Sequence, residues 1–392
     1  MEAAEKIPKK LYVYLDTTRG LRFGQLRQDV FHRRAGADPR HQRQRDLWAD
    51  PLAGGRCGMK RRGDTLFFDP PVWVESCAAA GGTKEGQGPL GPLFDYTAKE
   101  NRFGCRTWEQ GERKMVETAC AHALNKAELA PADLSFALGG DLLNQCISTS
   151  FAMRELGVPY LGLYGACSTM AESLLLGSAL LSGGFGGRAL CLASSHFCSA
   201  ERQYRYPLEY GGQRPPCAQW TATACGAVVL CGEKKRIGIT AATVGRIYDP
   251  GVTDSANMGA AMAQSAYETL RTFFQDSGQR PEDFDGIYTG DLASVGEALV
   301  RQLFRQDGVE LGDRYQDCGT LLYDETQDAH AGASGCGCSA AVLCCRLLPE
   351  LARGEKGRIL FCGTGALMSP VSANQGESIP GICHLIRLEA MA

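Results

Sequence analysis

The 392-residue sequence lacks several features that would place it in a specialised class of protein. Each apolar run is interrupted by Gly, Ser, Arg or Glu before it reaches the roughly 18 residues that a bilayer-spanning helix needs. The N-terminal residues lack the charged and then apolar pattern of a secretory signal. These absences argue against a membrane-spanning or exported protein and favour an intracellular location.

Metal-binding patterns and a dense disulfide framework are missing as well. The 18 cysteines are spread over a long chain, which favours reduced thiols over a disulfide scaffold. Cys336, Cys338 and the pair Cys344-Cys345 have no second pair or histidines at zinc-finger spacing. The sequence therefore predicts no metal site and no cofactor held by the protein itself.

The N-terminal residues differ in charge from the rest of the chain. Residues 1–62 contain 15 Lys or Arg and 7 Asp or Glu, whereas the remaining residues are net acidic. The segment has few apolar residues, and they follow neither a helical nor a strand periodicity. The sequence therefore predicts a basic, disordered extension over 1–62. One interpretation is a basic arm for nucleic acid or anionic lipid. We favour an extension outside the fold, with the true start at Met59, and no nucleic-acid partner.

A strand, a turn and a helix are predicted around Cys167. The apolar run from Tyr160 to Tyr164 is typical of a strand. Residues 168–182 are rich in Leu and Ala with Glu172 as their one charge, which predicts a buried helix. Cys167 therefore lies at a helix N-terminus.

Position makes Cys167 a candidate site residue. The first backbone amides of a helix, here those of Ser168 and Thr169, have no partner inside it, and the helix dipole adds positive charge there. Both effects favour a thiolate or a bound carboxylate. The alternative is a small, buried apolar cysteine.

Polar residues also follow two predicted strands. Asp141 and Asn144 follow the strand over residues 134–138, at the carboxyl end where parallel sheets bind ligands. They fit equally well as caps of the next helix. His196 follows the near-continuous apolar run from residue 188 to 195, which is typical of a central parallel strand. It is either a site residue or a structural histidine.

Arginine and tyrosine alternate after His196. The pattern suits a planar dicarboxylate, since guanidinium groups pair with carboxylates and aromatic faces accept flat rings. It equally suits a protein interface. The residues are Arg202, Arg205 and Arg214 among Tyr204, Tyr206 and Tyr210.

Four stretches together carry a resemblance to a known family. They are GACSTMAES, SSHFCSAERQYRYPLEYGGQRP, NMGAAMA and HAGASGCGCSA. From about Leu66 onward the chain resembles the stage V sporulation protein AD family of spore-forming bacteria, in the thiolase-like superfamily. The resemblance implies an α/β, thiolase-like fold with two pseudo-duplicated βαβ halves, 63–232 and 233–392, in α-β-α-β-α layers. Alternating strands and helices predicted along the second half agree with it.

The same resemblance implies a function. It implies a protein that binds dipicolinic acid, alone or as its calcium chelate, and supports its uptake into the developing spore with the membrane SpoVA proteins. It also implies a homodimer, soluble or peripheral at the forespore or spore inner membrane. The contacts that we predict for the ligand are Cys167, Ser168, Thr169, Asp141, Asn144, His196, Arg202, Asp291 and Ser334.

Two departures from the superfamily argue against catalysis. Its condensing enzymes pair the cysteine with His and Asn, or with two His, whereas this chain has Asp291 and Ser334 at the corresponding positions. A carboxylate repels an enolate, and serine is a poorer donor than an amide. His330 lies close by in sequence as a possible substitute donor.

The sequence therefore predicts a non-enzymatic binding protein. One alternative is an acyl-CoA-dependent condensing or thiolytic enzyme, an acyltransferase with Cys167 as nucleophile. Another is a structural subunit with a vestigial pocket. An entrance lined by Lys or Arg would favour the enzyme, because CoA carries phosphates.

Overall fold

The fold was analysed in a computed structural model, which describes residues 58–204 and 214–391. Residues 1–57 of the predicted extension lie outside the described residues, as do Arg205, Tyr206 and Tyr210. The described chain alternates strands and helices.

The described strands range from two residues to the 17 residues of the second one. In chain order they are β1 Met59–Arg62, β2 Thr65–Gly81, β3 Tyr96–Thr97, β4 Phe136–Gly140, β5 Tyr160–Gly162, β6 Arg188–Ser195, β7 Trp220–Thr221, β8 Ala224–Cys231, β9 Ile237–Thr243, β10 Gly286–Thr289, β11 Tyr315–Asp317, β12 Ala333–Ser334, β13 Arg358–Ala366 and β14 Gly381–Ala390.

The helices fall between these strands. They are α1 Thr83–Gly86, α2 Trp108–Lys126, α3 Ile147–Leu156, α4 Thr169–Ser182, α5 Phe197–Tyr204, α6 Met258–Ser277, α7 Ala293–Gln306, α8 Cys318–Leu321, α9 Cys336–Val342, α10 Leu348–Arg353 and α11 Pro370–Asn374. A π-helical turn, Leu343–Leu347, joins α9 to α10.

The main sheet contains the same five-strand pattern twice. Its order is β11-β10-β13-β14-β9-β2-β8-β6-β4-β5. In the N-terminal half β4 is parallel to β5 and β6, and β8 is antiparallel to β6 and β2. In the C-terminal half β10 is parallel to β11 and β13, and β14 is antiparallel to β13 and β9. The predicted pseudo-duplication is confirmed, and β2 pairs with β9 to join the halves.

The helices give the fold its layers. Helices α4 and α9 contact each other and strands of both halves, so they form the inner layer. Helices α2 and α3 pack on the N-terminal half, and α6 packs on the C-terminal half and on α7. Three separate hydrophobic clusters fill the spaces between these layers.

The N-terminal boundary differs from the expected one. Met59–Arg62, inside the predicted extension, form β1 and pair antiparallel with residues 65–68 of β2. The turn between the two strands contains Gly63 at φ 59°, a conformation that glycine adopts easily. Backbone pairing therefore holds a basic segment with few apolar side chains in the sheet.

A buried carboxyl group in the N-terminal half makes stability depend on pH. Glu112 on α2 accepts hydrogen bonds from the hydroxyls of Ser194 and Ser199, at 3.1 and 2.9 Å. Burial, with the nearby charge of Asp141, raises the pKa of Glu112 to about 8. The folded chain therefore keeps a proton that the unfolded chain releases at lower pH, so stability falls as pH rises from about 4.5 to about 8.

We expect Glu112→Gln to be more stable than the wild type at pH 9, by on the order of 3 kcal/mol, with little difference near pH 5. Glutamine keeps the shape of the protonated acid and carries no charge. Denaturant unfolding at both pH values measures the change. The control is Glu117→Gln on the same helix, where an ion pair with Arg113 at 3.2 Å lies near the surface. Equal pH profiles for wild type and Glu112→Gln would contradict the prediction.

Candidate functional site

A cavity of about 370 Å³ lies beside the N-terminus of α4. Cys167 and Ala166 line it from the N-terminal half, and Ser334 and Gly335 line it from the C-terminal half. Residues 366–370 and Ser372 form a further side. Its volume falls within the range of roughly 300–1,000 Å³ that is usual for small-molecule sites.

The Cys167 thiol faces a carboxylate. It is buried and makes hydrogen-bonding contact with the side chain of Asp291 and with the backbone N–H of Gly335. Burial raises the pKa of this thiol well above its ordinary value, and the charge of Asp291 raises it further. Cys167 is therefore held as a neutral thiol at neutral pH, in contrast to an activated nucleophile.

Asp291 is fixed by three donors at the end of β10. Its carboxylate accepts a hydrogen bond from the Thr364 hydroxyl at 2.8 Å and one from the backbone N–H of Gly335 at 3.0 Å. The third donor is the Cys167 thiol. Burial raises the pKa of Asp291 to about 6, against the opposing effect of these donors. At neutral pH an ionised carboxylate thus lies beside the Cys167 thiol.

Asp317, which the sequence did not single out, positions the Asp291 loop. Its carboxylate accepts hydrogen bonds from the backbone N–H groups of Leu292 and Ala293, at 3.0 and 2.8 Å. It also accepts one from Gly319 at 2.8 Å. No local signal in the sequence marked it, because the residues before Asp317 are mostly polar (residues 312–316, GDRYQ).

Ser334 and Gly335 bring the C-terminal half to the thiol. Ser334 lines the cavity, and its backbone carbonyl accepts from Ala222 at 2.9 Å. Gly335 has φ 95°, and a Cβ atom there would lie 2.6 Å from the Ser195 hydroxyl. Glycine is therefore needed for the close approach that places its N–H beside Cys167 and Asp291.

The backbone amides of Ser168 and Thr169, which were predicted to bind the ligand, donate hydrogen bonds to carbonyl groups of the preceding turn. The Ser168 N–H donates to the Gly165 carbonyl at 3.1 Å, and the Thr169 N–H donates to the Ala166 carbonyl. Their hydroxyls donate to the same two carbonyls, each at 2.7 Å. Ser168 and Thr169 thus shape the turn, and the cavity wall is formed by Ala166 and Cys167.

Asp141 and Asn144 have different surroundings. Asp141 is buried and accepts from the N–H and hydroxyl of Thr149, both at 2.7 Å, and from the Leu143 N–H at 2.9 Å. These bonds fix the start of α3, in agreement with the capping alternative. Asn144 is exposed and lines the cavity.

The structure places His196 and Arg202 outside the cavity lining. The Nδ1 of His196 accepts from the Cys198 N–H at 3.2 Å, so Nε2 carries the proton and donates to the Asn101 carbonyl at 2.7 Å. Burial lowers the pKa of this ring, which is therefore neutral. Arg202 is paired with Glu109 beside a separate surface depression.

His330, which was considered as a substitute donor, lies outside the described lining of the cavity. Its Nδ1 bonds the Pro215 carbonyl at 2.9 Å, and its Nε2 lies 3.1 Å from a carboxylate oxygen of Asp328.

Two tyrosines at the cavity were not predicted as site residues. The hydroxyls of Tyr164 and Tyr204 are 2.6 Å apart, and the Tyr204 hydroxyl also donates to the Leu142 carbonyl at 2.6 Å. Tyr164 is half exposed, so this hydroxyl pair lies at the cavity entrance.

Among the described residues that line the cavity, one is acidic and none is basic. Its described lining contains Glu201, whose carboxylate accepts from Thr221 at 3.0 Å, and contains no Lys, Arg or His. Asp291 adds a second carboxylate behind the thiol. The described residues hold no cluster of three or more His, Cys, Asp or Glu that would bind a metal ion alone. None of the described helices is both long and apolar enough to cross a membrane.

Known proteins resemble this chain in sequence and in fold. The family model described as stage V sporulation protein AD matches residues 62–389. Stage V sporulation protein AD of Bacillus subtilis (strain 168) is 44% identical over 332 residues, which is 84% of this chain and 98% of that protein.

Solved structures with low sequence identity share the fold. Xanthomonas campestris OleA, with bound lauric acid and lauroyl-CoA, matches with a TM-score of 0.54 and 15% identity over 81% of this chain and 99% of OleA. The 3-oxoacyl-[acyl-carrier-protein] synthase III of Aquifex aeolicus matches with a TM-score of 0.50 and 14% identity over 81% of this chain and 99% of the synthase. The thiolase-like fold is thereby confirmed.

Proposed function

This chain belongs to the stage V sporulation protein AD family, and from that premise we propose that it binds dipicolinic acid as its calcium chelate. In this proposal the protein supports uptake of the acid into the developing spore beside the membrane SpoVA proteins. It does so without catalysing a reaction.

The contact between Cys167 and Asp291 supports binding over catalysis. A condensing enzyme needs a thiolate nucleophile and neutral or cationic donors for the developing negative charge. Here the thiol is kept protonated by burial and by the Asp291 carboxylate. The same carboxylate would repel an enolate.

The cavity suits a small acid that arrives with a cation. Asp291 behind the thiol opposes a free dianion, because like charges at short range in a buried site raise its energy. Calcium takes carboxylate, amide and hydroxyl oxygens as ligands. Glu201, Asn144 and Ser334 offer these groups, so the chelate can be bound by oxygen atoms of the protein while calcium neutralises the acid.

We expect calorimetry to detect binding of dipicolinic acid that is at least about tenfold tighter with calcium than without it. Glu201→Gln should remove most of this gain, because the amide keeps the shape and loses the charge. Arg202→Ala serves as the matched control on the same helix, since its partner Glu109 lies outside the cavity. No binding by the wild type in either condition would leave a structural subunit as the better explanation.

An acyl-CoA-dependent enzyme is the second candidate, favoured by the position of Cys167 in a cavity at a helix N-terminus. Incubation with acetyl-CoA and malonyl-CoA, followed by intact mass measurement, separates the two functions. We expect no acyl adduct on Cys167 and no condensation product. A stable adduct together with multiple turnovers would overturn the binding proposal.

A homodimer is part of the proposal. Strand β5 is the last strand of the sheet, with one edge paired to β4. Leu161 in β5 and Tyr164 just after it are about half exposed, which leaves apolar surface at a strand edge that no other described strand pairs. A second copy would cover both, and light scattering of the full chain measures the resulting mass.

A further inference from the structure

The two halves of the fold contribute different kinds of side chain to the cavity. The N-terminal half contributes amide, carboxylate and hydroxyl groups, and the residues are Asn144, Tyr164, Glu201, Tyr204 and Thr221. The C-terminal half contributes four apolar side chains, which we call the apolar wall, and these are Met258, Leu367, Met368 and Pro370. A bound molecule therefore contacts polar groups from one half and an apolar surface from the other.

Two serines next to the apolar wall have their hydroxyls in the cap of α11. The Ser369 hydroxyl oxygen accepts from the Ser372 N–H at 3.0 Å, and the Ser372 hydroxyl donates to the Ser369 carbonyl at 3.1 Å. The two hydroxyl oxygens are also 3.0 Å apart. Because these bonds stay inside the cap, the side chains that this segment offers to a ligand are chiefly apolar. The third serine of the C-terminal half, Ser334, belongs to the separate strand β12.

Both methionines of the apolar wall are held in place by the C-terminal half. Met258 and Met368 are partly buried and pack against the same hydrophobic cluster, which also contains Ala366 of the cavity lining. Met258 is the first residue of α6, and the Asn257 side chain caps that helix. The Met368 N–H donates to the Ala366 carbonyl at 3.0 Å. The two thioether side chains therefore lie between a packed core and the cavity.

Thioether side chains favour one kind of ligand. The methionine sulfur is polarisable and makes favourable contacts with aromatic rings, and the unbranched side chain adapts to a flat surface. Pockets of this kind use their apolar lining for affinity and a few polar groups for orientation. A molecule with an aromatic ring and carboxylates at its edge matches both contributions to the cavity, whereas an aliphatic acid lacks a ring for the apolar wall.

We propose that Met258 and Met368 determine the specificity of the cavity by favouring acids whose carboxylates are carried on an aromatic ring. This inference rests on the proposed function, since it concerns the same cavity and the same chelated ligand. Specificity is a difference between two affinities, so it is measured with two acids. Diglycolic acid is the comparison for dipicolinic acid. It also has two carboxylates on either side of a central donor atom and chelates calcium through three atoms, but it has no ring.

The test is calorimetry of the full chain with each acid at a calcium concentration in excess of both. The wild type should bind dipicolinic acid at least about tenfold more tightly than diglycolic acid. Met258→Gln and Met368→Gln keep the length of the side chain and make it polar. Each should weaken binding of dipicolinic acid roughly fivefold and change binding of diglycolic acid less than about twofold. Leucine at either position keeps the apolar bulk and should stay within about threefold of the wild type.

Val371→Gln is the matched control on the same segment. Val371 is 67% exposed and lies outside the described lining of the cavity, so the change should affect neither acid. Melting curves identify variants that fail to fold. If glutamine is not tolerated, Met258→Ala and Met368→Ala replace it, because they remove the thioether without adding a polar group, and the same selective loss is expected.

Two results would overturn the inference and leave the proposed function intact. One is equal affinity of the wild type for the two acids. The other is an equal loss of affinity for both acids in the folded methionine variants, which would show that Met258 and Met368 support the shape of the cavity without selecting the ring. A wild type that binds diglycolic acid and dipicolinic acid in neither case would refute the proposed function and this inference together.

Discussion

Replacing Asp291 with asparagine is expected to speed alkylation of Cys167 by about tenfold at pH 8. A like charge next to an ionisable group shifts its pKa by roughly 1–3 units, and asparagine removes that charge while keeping the side-chain shape. The lower pKa increases the thiolate fraction, although a less basic thiolate is also a weaker nucleophile, which offsets about half of the gain. Time courses with iodoacetamide, followed by peptide mapping, measure the rate at Cys167 alone.

Ser334→Ala is the matched control, because it alters a neutral group at the same cavity. It should leave the alkylation rate of Cys167 nearly unchanged. The melting temperature of Asp291→Asn must be followed as well, since the new amide group replaces a carboxylate that accepts from Gly335 and Thr364. A folded Asp291→Asn protein whose Cys167 reacts no faster than wild type would show that burial alone keeps the thiol protonated.

Local patterns in the sequence predicted much of the fold. The predicted strand over residues 188–195 coincides with β6, because a near-continuous apolar run fits a strand that is buried on both faces. Helix α6 also has local signals at both ends, since Asn257 caps its start and Gly278 ends it.

The strands that could not be predicted depend on pairing with strands that are far apart in sequence. The sequence shows two short strand-like segments, 65–68 and 71–76, where β2 is a single strand of 17 residues. Its pairing with β9 is irregular between Phe67 and Val72, because Pro70 and Pro71 lack the N–H that a ladder needs. Strand β14 was not predicted, since its pattern includes charged residues and its place between β13 and β9 depends on contacts far apart in sequence.

Some residues of the candidate site could be predicted from the sequence, and others could not. Cys167 was found from its position at a predicted helix N-terminus, and Asp291 and Ser334 were found because the resemblance to a family gave positions to compare. The structure brings all three together. Tyr204 belongs to the pattern of alternating Arg and Tyr, whereas Glu201 and residues 366–370 had no local signal. Residues 366–370 reach the cavity only after the two halves have packed.

His196 was chosen for its position after a strand and Arg202 for the pattern of alternating Arg and Tyr. In the structure the His196 ring is bonded to the Asn101 carbonyl and Arg202 is paired with Glu109.

Replacing Cys167 with phenylalanine is expected to weaken binding of the calcium chelate by at least about a hundredfold, the largest effect that we expect for a single substitution. The thiol lines the cavity, so a benzyl group there would occupy the space that the planar ring of dipicolinic acid needs. Cys167→Ala is the control, because it removes the thiol and leaves the space open, and it should bind within a few-fold of the wild type. Calorimetry on the three proteins at equal calcium concentration measures the effect, and melting curves confirm that each is folded. If folded Cys167→Phe binds as tightly as wild type, the ligand site lies elsewhere; if Cys167→Ala also loses binding, the thiol itself contacts the ligand.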